Sequence, residues 1–139
     1  MRSNVLLTAI NQYGTFEWKQ GDNPLIMKWH HAIDAWPKND EVPWCSSFAY
    51  AIAREAGFHP KSITHAAKSW LKLPNVVNEQ DVQPGDVVVF HRGSQSWQGH
   101  VAFFVGWHGN YMAVIGGNQE NSVKVSHYHK NKLAGIRRL

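Results

Sequence analysis

The stretch QPGDVVVF at residues 83–90 marks the change from a helical to a strand-like sequence pattern. Pro84-Gly85 is a turn signal, and the apolar run behind it has the length of a buried strand. Further strand-like runs follow at residues 101–105, 111–115, 122–128 and 134–138. His108-Gly109-Asn110 lies between two of these runs and predicts a hairpin. Residues 82–139 are therefore predicted to be mainly β, with about five antiparallel strands.

The chain before this stretch, residues 1–72, is predicted to be mainly helical. Pro24 is a start signal because proline is tolerated in the first helical position, and the helix it begins is expected to run to Trp36. A first helix is expected to begin at Ser3 and to stop at Gly14, a third is expected over residues 43–57, and a short fourth over residues 62–71. Helices followed by a strand meander indicate an α+β fold, with N-terminal helices packed on a C-terminal antiparallel sheet.

Length and composition exclude several classes of protein. At 139 residues with 43% hydrophobic residues, the chain is long enough for one globular domain over residues 1–139 and too short for two. No run approaches the roughly 20 apolar residues of a membrane helix, and no signal peptide is visible, so synthesis in the cytoplasm without membrane insertion is expected. A single cysteine excludes a disulfide framework. The net charge of +4 favours polyanionic partners, but the basic residues are not clustered as in nucleic-acid-binding modules.

The single cysteine lies at a predicted helix start. Helical spacing puts it on one apolar face with Phe48, Ala49, Ile52, Ala53 and Ala56. In the first helical turn, unpaired backbone N–H groups and the positive helix end stabilise a thiolate. Cys45 is therefore a candidate nucleophile. The alternative is a small buried hydrophobic residue, and a partner histidine is needed to decide between them.

His100 is the strongest candidate for that partner among the nine histidines. It opens a strongly apolar strand directly after a polar loop, and residues at strand ends project into clefts from a rigid frame. His91, which ends the preceding strand, is the second choice.

The predicted hairpin suggests what orients His100. A three-residue turn puts Asn118 opposite His100, whereas a two-residue turn puts Gln119 there. Glu120 remains a third possibility if a bulge shifts the register. A side-chain amide can hold an imidazole in the required tautomer, as in a Cys-His-Asn group, and Asn118 is the favoured residue.

Four segments together resemble the CHAP and NlpC-type cysteine peptidases and amidases. They are PWCSSF at residues 43–48, QPGDVVVF at 83–90, GHVAFFVG at 99–106 and GGNQ at 116–119. The resemblance runs from about residue 40 to the end of the chain. It implies a papain-like core and an enzyme that cuts peptidoglycan.

The resemblance also implies roles for individual residues. The nucleophile, the general base and the orienting residue would be Cys45, His100 and Asn118. The expected substrate contacts are Trp44, Ser46 and Trp97. The reaction implied is acyl transfer from an amide of the cell-wall stem peptide, with an endopeptidase favoured over an N-acetylmuramoyl-L-alanine amidase.

A basic chain of this size is similar to phage lysins of Gram-negative hosts and to injected antibacterial effectors. Either would be bacteriolytic and would reach the periplasmic cell wall after release or injection. The expected partner is peptidoglycan, with an immunity protein in addition for an effector, and the expected state is a monomer.

Two other classes of function compete with this hypothesis. A non-catalytic module would grip the cell wall through a tryptophan-rich surface and keep Cys45 in its core. A metal site would use His127 and His129 on one strand face together with His108 or His31. Neither the helical zinc motif of metallopeptidases nor an acidic calcium loop is present in the sequence, so no metal or other cofactor is expected.

Overall fold

The computed structural model describes residues 2–34, 36–39 and 43–139, with side chains from Asn4 onward. The α-helices of this part of the chain are α1 (Arg2–Ile10), α2 (Pro24–Ile33) and α3 (Cys45–Glu55). A 3-10 helix at Ala67–Lys72 stands where a fourth α-helix was expected. None of the described helices combines the length and apolar character needed to cross a membrane.

The strands all follow the helices and form one antiparallel sheet. They are β1 (Val87–His91), β2 (Gly99–His108), β3 (Tyr111–Gln119), β4 (Ser122–His129) and β5 (Leu133–Arg137). Their order across the sheet is β4-β3-β2-β1-β5. The prediction of an α+β fold with N-terminal helices and a five-stranded antiparallel sheet is confirmed for the described residues.

Helix α2 is shorter than predicted, because it ends at Ile33 and not at Trp36. The next residue, Asp34, is extended with a φ of −164°, and its Oδ1 accepts the backbone N–H of Trp36 at 3.0 Å. Pro37 also disfavours a helical conformation for the residue before it. Trp36 is thereby released from the helix and reaches the cleft described below.

Both faces of the sheet are buried at β1, which explains the uninterrupted apolar run of that strand. Val87 and Val89 point to the helices, where they join a cluster that includes Phe48 of α3. Val88 and Phe90 point to the opposite face and join a second, smaller cluster. A strand buried on both faces reads as a continuous hydrophobic run, because neither set of alternate side chains meets water.

The sheet is strongly curled. Strands β4 and β5 are at opposite edges, yet only Lys130–Lys132 separate them in the chain. In a flat sheet these edges would be roughly 19 Å apart, at about 4.8 Å per strand spacing. The four peptide units between His129 and Leu133 span at most about 14 Å. Curling brings β4 over β1, so that Tyr128 and Phe90 stack with ring centroids 4.8 Å apart.

Helix α3 lies directly on β3 at a glycine. A Cβ atom at Gly117 would be 2.7 Å from Cβ of Phe48 and 2.7 Å from the Trp44 ring. Such an approach is available only to a residue without a side chain. Gly117 therefore sets the distance between the start of α3 and the end of β3, the two places from which the candidate site is built.

Candidate active site

Cys45 is the first residue of α3 and lies at an open cleft of about 430 Å³. The residue is only 4% exposed. The first turn of a helix leaves backbone N–H groups unpaired and carries the positive end of the helix dipole. The cleft is lined in addition by Trp36, Pro43, His65, Ala66, Ala67, Arg92, Trp97, Gln98 and Gly99.

Three neighbouring strands place side chains at one end of the sheet, where β1 and β3 finish and β2 begins. Arg92 directly follows the end of β1, His100 is the second residue of β2, and Gln119 is the last residue of β3. Because adjacent strands are antiparallel, the end of one strand lies beside the start of the next. The pairing of the strands therefore holds these residues close together, and α3 places Cys45 at the same end of the sheet.

The amide of Gln119 fixes the tautomer of His100. Oε1 of Gln119 lies 2.8 Å from Nε2 of His100, and the amide nitrogen donates to the backbone carbonyl of Lys124. Since the amide nitrogen is committed to a carbonyl, the oxygen must face the ring, and Nε2 must carry the hydrogen. His100 and Gln119 are 2% and 3% exposed, so water does not compete for this bond.

The hairpin register explains why Gln119 and not Asn118 makes this contact. Strands β2 and β3 start with a two-residue turn, in which His108 pairs with Tyr111, and the register then slips by one residue between Phe104 and Gly106. This slip by itself would restore the register that favoured Asn118.

A second irregularity reverses that outcome. The ladder between β3 and β4 is interrupted between Gly116 and Gln119, and Asn118 adopts a left-handed backbone with a φ of 57°. The chain turns there, and the next side chain, that of Gln119, enters the site. The preference for Asn118 as the residue in contact with His100 is corrected to Gln119, the alternative that a two-residue turn indicated.

The thiol of Cys45 is activated by its surroundings. Burial raises the pKa of Cys45, but the neighbouring imidazole of His100 and the charge of that ring lower it. The Val101 backbone N–H and the Arg92 charge lower it further, and the resulting pKa lies below the ordinary value of a cysteine. Nδ1 of His100 is buried and has no conventional hydrogen-bond partner among the described residues. With Nε2 held by Gln119, Nδ1 is the nitrogen left to exchange a proton with Cys45.

Tyr128 covers the ring of His100, a contact that the sequence did not reveal. The two rings are tilted by 31° with centroids 5.2 Å apart, and Phe90 stacks on the same tyrosine. Burial raises the pKa of Tyr128, an effect that the charge of Arg92 only partly offsets. Tyr128 comes from the far end of β4, and only the curl of the sheet brings it here.

Of the three predicted substrate contacts, only Trp97 lines the cleft, with 70% of its surface exposed. Trp44 is fully buried, and its Nε1 donates to Glu17 Oε2 at 3.0 Å. Ser46 is fully buried too, and its hydroxyl accepts the Nε1–H of Trp70 at 2.9 Å. Side chains without exposed surface cannot touch a substrate in this conformation, so Trp44 and Ser46 are corrected to residues of the core.

A chain of hydrogen bonds, buried at its inner end, supports one wall of the cleft. His65 Nδ1 lies 3.1 Å from Ser47 Oγ, which lies 2.8 Å from Nδ1 of His30. On the cleft side, His65 Nε2 is 3.3 Å from a carboxylate oxygen of Asp34, and Trp36 meets the His65 ring edge-on at 5.2 Å. The chain ties this wall to the first turn of α3. This hydrogen-bond chain could not be predicted from the sequence, because its members come from three separate segments.

The remaining candidate histidines do not line the cleft at Cys45. His91 is exposed at the end of β1. His127 packs against His108 with ring centroids 5.5 Å apart, and His31 Nε2 is 3.2 Å from the Pro37 carbonyl. Within the described part of the chain, no three His, Cys, Asp or Glu side chains come together in an arrangement that could hold a metal ion.

Solved structures with the same fold include proteins of the NlpC/P60 group. The P60 domain of antigen MAP1272c from M. avium paratuberculosis shares 18% identity at a TM-score of 0.59, over 99% of this chain and 92% of that one. RipD from Mycobacterium tuberculosis, a non-catalytic NlpC/p60 domain protein adapted to peptidoglycan binding, shares 18% identity at a TM-score of 0.54, over 99% and 96%. An NLP/P60 protein similar to a lipoprotein from Staphylococcus aureus shares 16% identity at a TM-score of 0.56, over 99% of this chain.

The present chain spans 40% of the length of the staphylococcal protein. At identities this low, the structural likeness shows the papain-like α+β fold alone. Comparison with curated protein sequences gives no match. The CHAP domain family model matches residues 37–118, a range that contains both Cys45 and His100. The chain therefore belongs to the CHAP domain family.

Proposed function

We propose that this chain is a peptidoglycan hydrolase that cleaves an amide bond of the cell-wall stem peptide. Cys45 is the nucleophile, His100 is the general base and acid, and Gln119 is the positioning residue. The observation that carries the proposal is the lowered pKa of Cys45 at an open cleft, beside an imidazole whose second nitrogen is fixed by an amide. A structural cysteine in an apolar core would have a raised pKa instead.

The mechanism follows from these contacts. His100 Nδ1 takes the proton of Cys45, and the thiolate attacks the amide carbonyl carbon. The developing oxyanion is stabilised by backbone N–H groups in the first turn of α3, including that of Cys45. The tetrahedral intermediate collapses, the C–N bond breaks, and the leaving amine takes the proton from His100. Water, deprotonated by His100, then hydrolyses the thioester and frees Cys45.

The bond that we favour is a peptide bond within the stem, which makes the chain an endopeptidase. Cleavage between the lactyl group of the sugar and L-Ala, by the same residues, is the amidase alternative. We further propose a bacteriolytic role as a phage lysin, with an injected antibacterial effector as the second option. A monomer acting on the periplasmic cell wall would suit either role, and an effector would need an immunity protein in its producer.

The test is mass spectrometry of purified peptidoglycan after digestion with the wild type and with Cys45→Ala. We expect new soluble fragments from the wild type alone, and the freed amine identifies the bond. A free amine on L-Ala, the first residue of the stem, would indicate the amidase. A free amine on a later residue of the stem would indicate the endopeptidase. Identical fragments from both proteins would refute a thiol mechanism.

A non-catalytic module that binds peptidoglycan is the competing function. It is favoured by the fold likeness to RipD, a non-catalytic member of the same structural group. A pull-down with insoluble peptidoglycan separates the two functions. Retention of the wild type without release of any fragment would support the binding module, and it would contradict the enzyme.

A further inference from the structure

We propose that Arg92 makes this cleft selective for substrates with a free carboxylate next to the scissile amide. Trp97 covers the same part of the substrate. This inference deepens the proposed hydrolase function and rests on it, because it names a chemical requirement of the same cleft.

The first argument is charge. Arg92 lines the cleft together with Cys45, is exposed, and forms no ion pair with any described residue. Its charge reaches the thiol, since it contributes to lowering the pKa of Cys45. A second cation, Lys68, is half-buried beside Gly99 at the same rim, and its ammonium group contacts the Ser96 carbonyl and His91 Nδ1 and forms no ion pair with a described carboxylate. Two cations without a partner carboxylate attract an anionic ligand.

Asp34 is a carboxylate beside one wall of the cleft, and it is already engaged. One of its oxygens accepts the Trp36 N–H at 3.0 Å and lies 3.3 Å from His65 Nε2. Its charge therefore faces the His65 wall of the cleft. Arg92 and Trp97 belong to the segment that follows β1, which contributes a separate part of the lining.

The second argument is that the segment between β1 and β2 is held in a fixed conformation. Nζ of Lys68 donates to the carbonyl of Ser96 and to Nδ1 of His91, 3.1 Å away, and so ties the segment between β1 and β2 at both ends. Within that segment, Gln98 Oε1 accepts the backbone N–H of Gln95 at 3.0 Å. Trp97 is thus presented by a fixed turn although most of its side chain is exposed. A fixed aromatic surface next to an unpaired guanidinium is suited to a peptide that carries a carboxylate.

The chemistry of the guanidinium defines the ligand. Arginine offers a planar fork of N–H donors that matches a carboxylate with two parallel hydrogen bonds, whereas an amidated carboxyl group offers one acceptor and no charge. Because Arg92 is exposed, the gain is limited by solvent and salt. We expect about a tenfold preference for the free acid in kcat/KM, the change that corresponds to about 1.4 kcal/mol.

The experiment uses three synthetic stem tripeptides, L-Ala-γ-D-Glu-L-Lys, its D-Glu α-amide and its L-Lys C-terminal amide. For the wild type, kcat/KM is expected to fall about tenfold for one of the two amides, which identifies the carboxylate that is bound. For Arg92→Gln, the free acid and that amide are expected to react at equal rates. The matched control is Arg54→Gln at the other end of α3, where Arg54 contacts Tyr50 and not the cleft; it should keep the wild-type preference.

Two results would overturn the inference while leaving the hydrolase intact. One is equal cleavage of all three peptides by the wild type, and the other is an unchanged preference in Arg92→Gln. Cleavage of none of the peptides, together with intact peptidoglycan after digestion, would overturn both the inference and the proposed function. A preference that shrinks between low and high salt for the wild type, but is absent at both for Arg92→Gln, would support the charge mechanism directly.

Discussion

Gln119 Oε1 lies 2.8 Å from Nε2 of His100, while the nitrogen of the same amide donates to a backbone carbonyl. One side chain thus decides which imidazole nitrogen carries the hydrogen. In the proposed mechanism, Nδ1 accepts the proton of Cys45, and the Gln119 amide is the third member of a thiol triad. Its geometry can be tested without knowing the natural substrate.

We predict that Gln119→Ala lowers kcat at least about tenfold and leaves KM unchanged, because a disordered imidazole loses efficiency as base and acid. The measurement is steady-state kinetics on a stem peptide, with circular dichroism to verify folding. The matched control is Asn118→Gly, since glycine accepts the φ of 57° at that position. A larger loss of kcat in the control than in Gln119→Ala would contradict the assignment.

We predict that iodoacetamide alkylates Cys45 with a pH inflection below that of an ordinary thiol. A lowered pKa means that the thiolate persists at pH values where an unperturbed cysteine is protonated. The reference is the same cysteine in the urea-unfolded chain. In His100→Ala the inflection should move upward, since burial of the thiol remains while the contributions of the imidazole are lost. A native inflection at or above that of the unfolded chain would rule out an activated thiol.

We predict that Tyr128→Phe keeps near wild-type kcat and that Tyr128→Ala does not. The ring of Tyr128 packs on His100 and Phe90, and phenylalanine preserves both contacts. Aromatic pairs of this kind contribute about 0.5–1.5 kcal/mol beyond their burial. The readouts are kcat and the pH inflection of Cys45 alkylation, neither of which a merely structural ring would move. Equal kcat for the two variants would show that the ring does not position His100.

We predict that Gly117→Ala destabilises the fold by about 1–3 kcal/mol, the usual cost of forcing an extra group into a packed core. The new methyl group would meet Trp44 and Phe48 at 2.7 Å. Urea unfolding provides the measurement. Gly106→Ala is the control, because a Cβ atom at Gly106 has nothing within 4 Å. Its unfolding midpoint should match that of the wild type, and equal losses in both variants would refute the close-packing argument.

The parts of the fold that the sequence predicts correctly are those encoded locally. The apolar run 87–90 and the strand opened by His100 are readable because their residues alternate between two buried faces. Helix α3 is readable from apolar spacing, and its first turn indicated Cys45. Each of these signals depends on neighbours a few residues apart in the chain.

The features that sequence analysis did not predict depend on contacts between segments that are far apart in the chain. The left-handed backbone at Asn118 shifts the contact to Gln119, and no local pattern announces it. Tyr128 reaches His100 only because the sheet curls. Trp44 and Ser46 sit beside the cysteine in sequence, yet both turn into the core, because one residue of a helix faces the cleft while its neighbours do not.

The pairing of β1 with β2 has a practical consequence for protein engineering. Phe90 pairs with His100, and His91 pairs with Gly99. The two strands are therefore paired as far as the residues where the connecting segment begins. Residues 93–98 can therefore be exchanged for another sequence, longer or shorter, while the backbone that carries His100 stays anchored. A library confined to those six positions would vary the surface of the cleft and keep Arg92, whose charge lowers the pKa of Cys45.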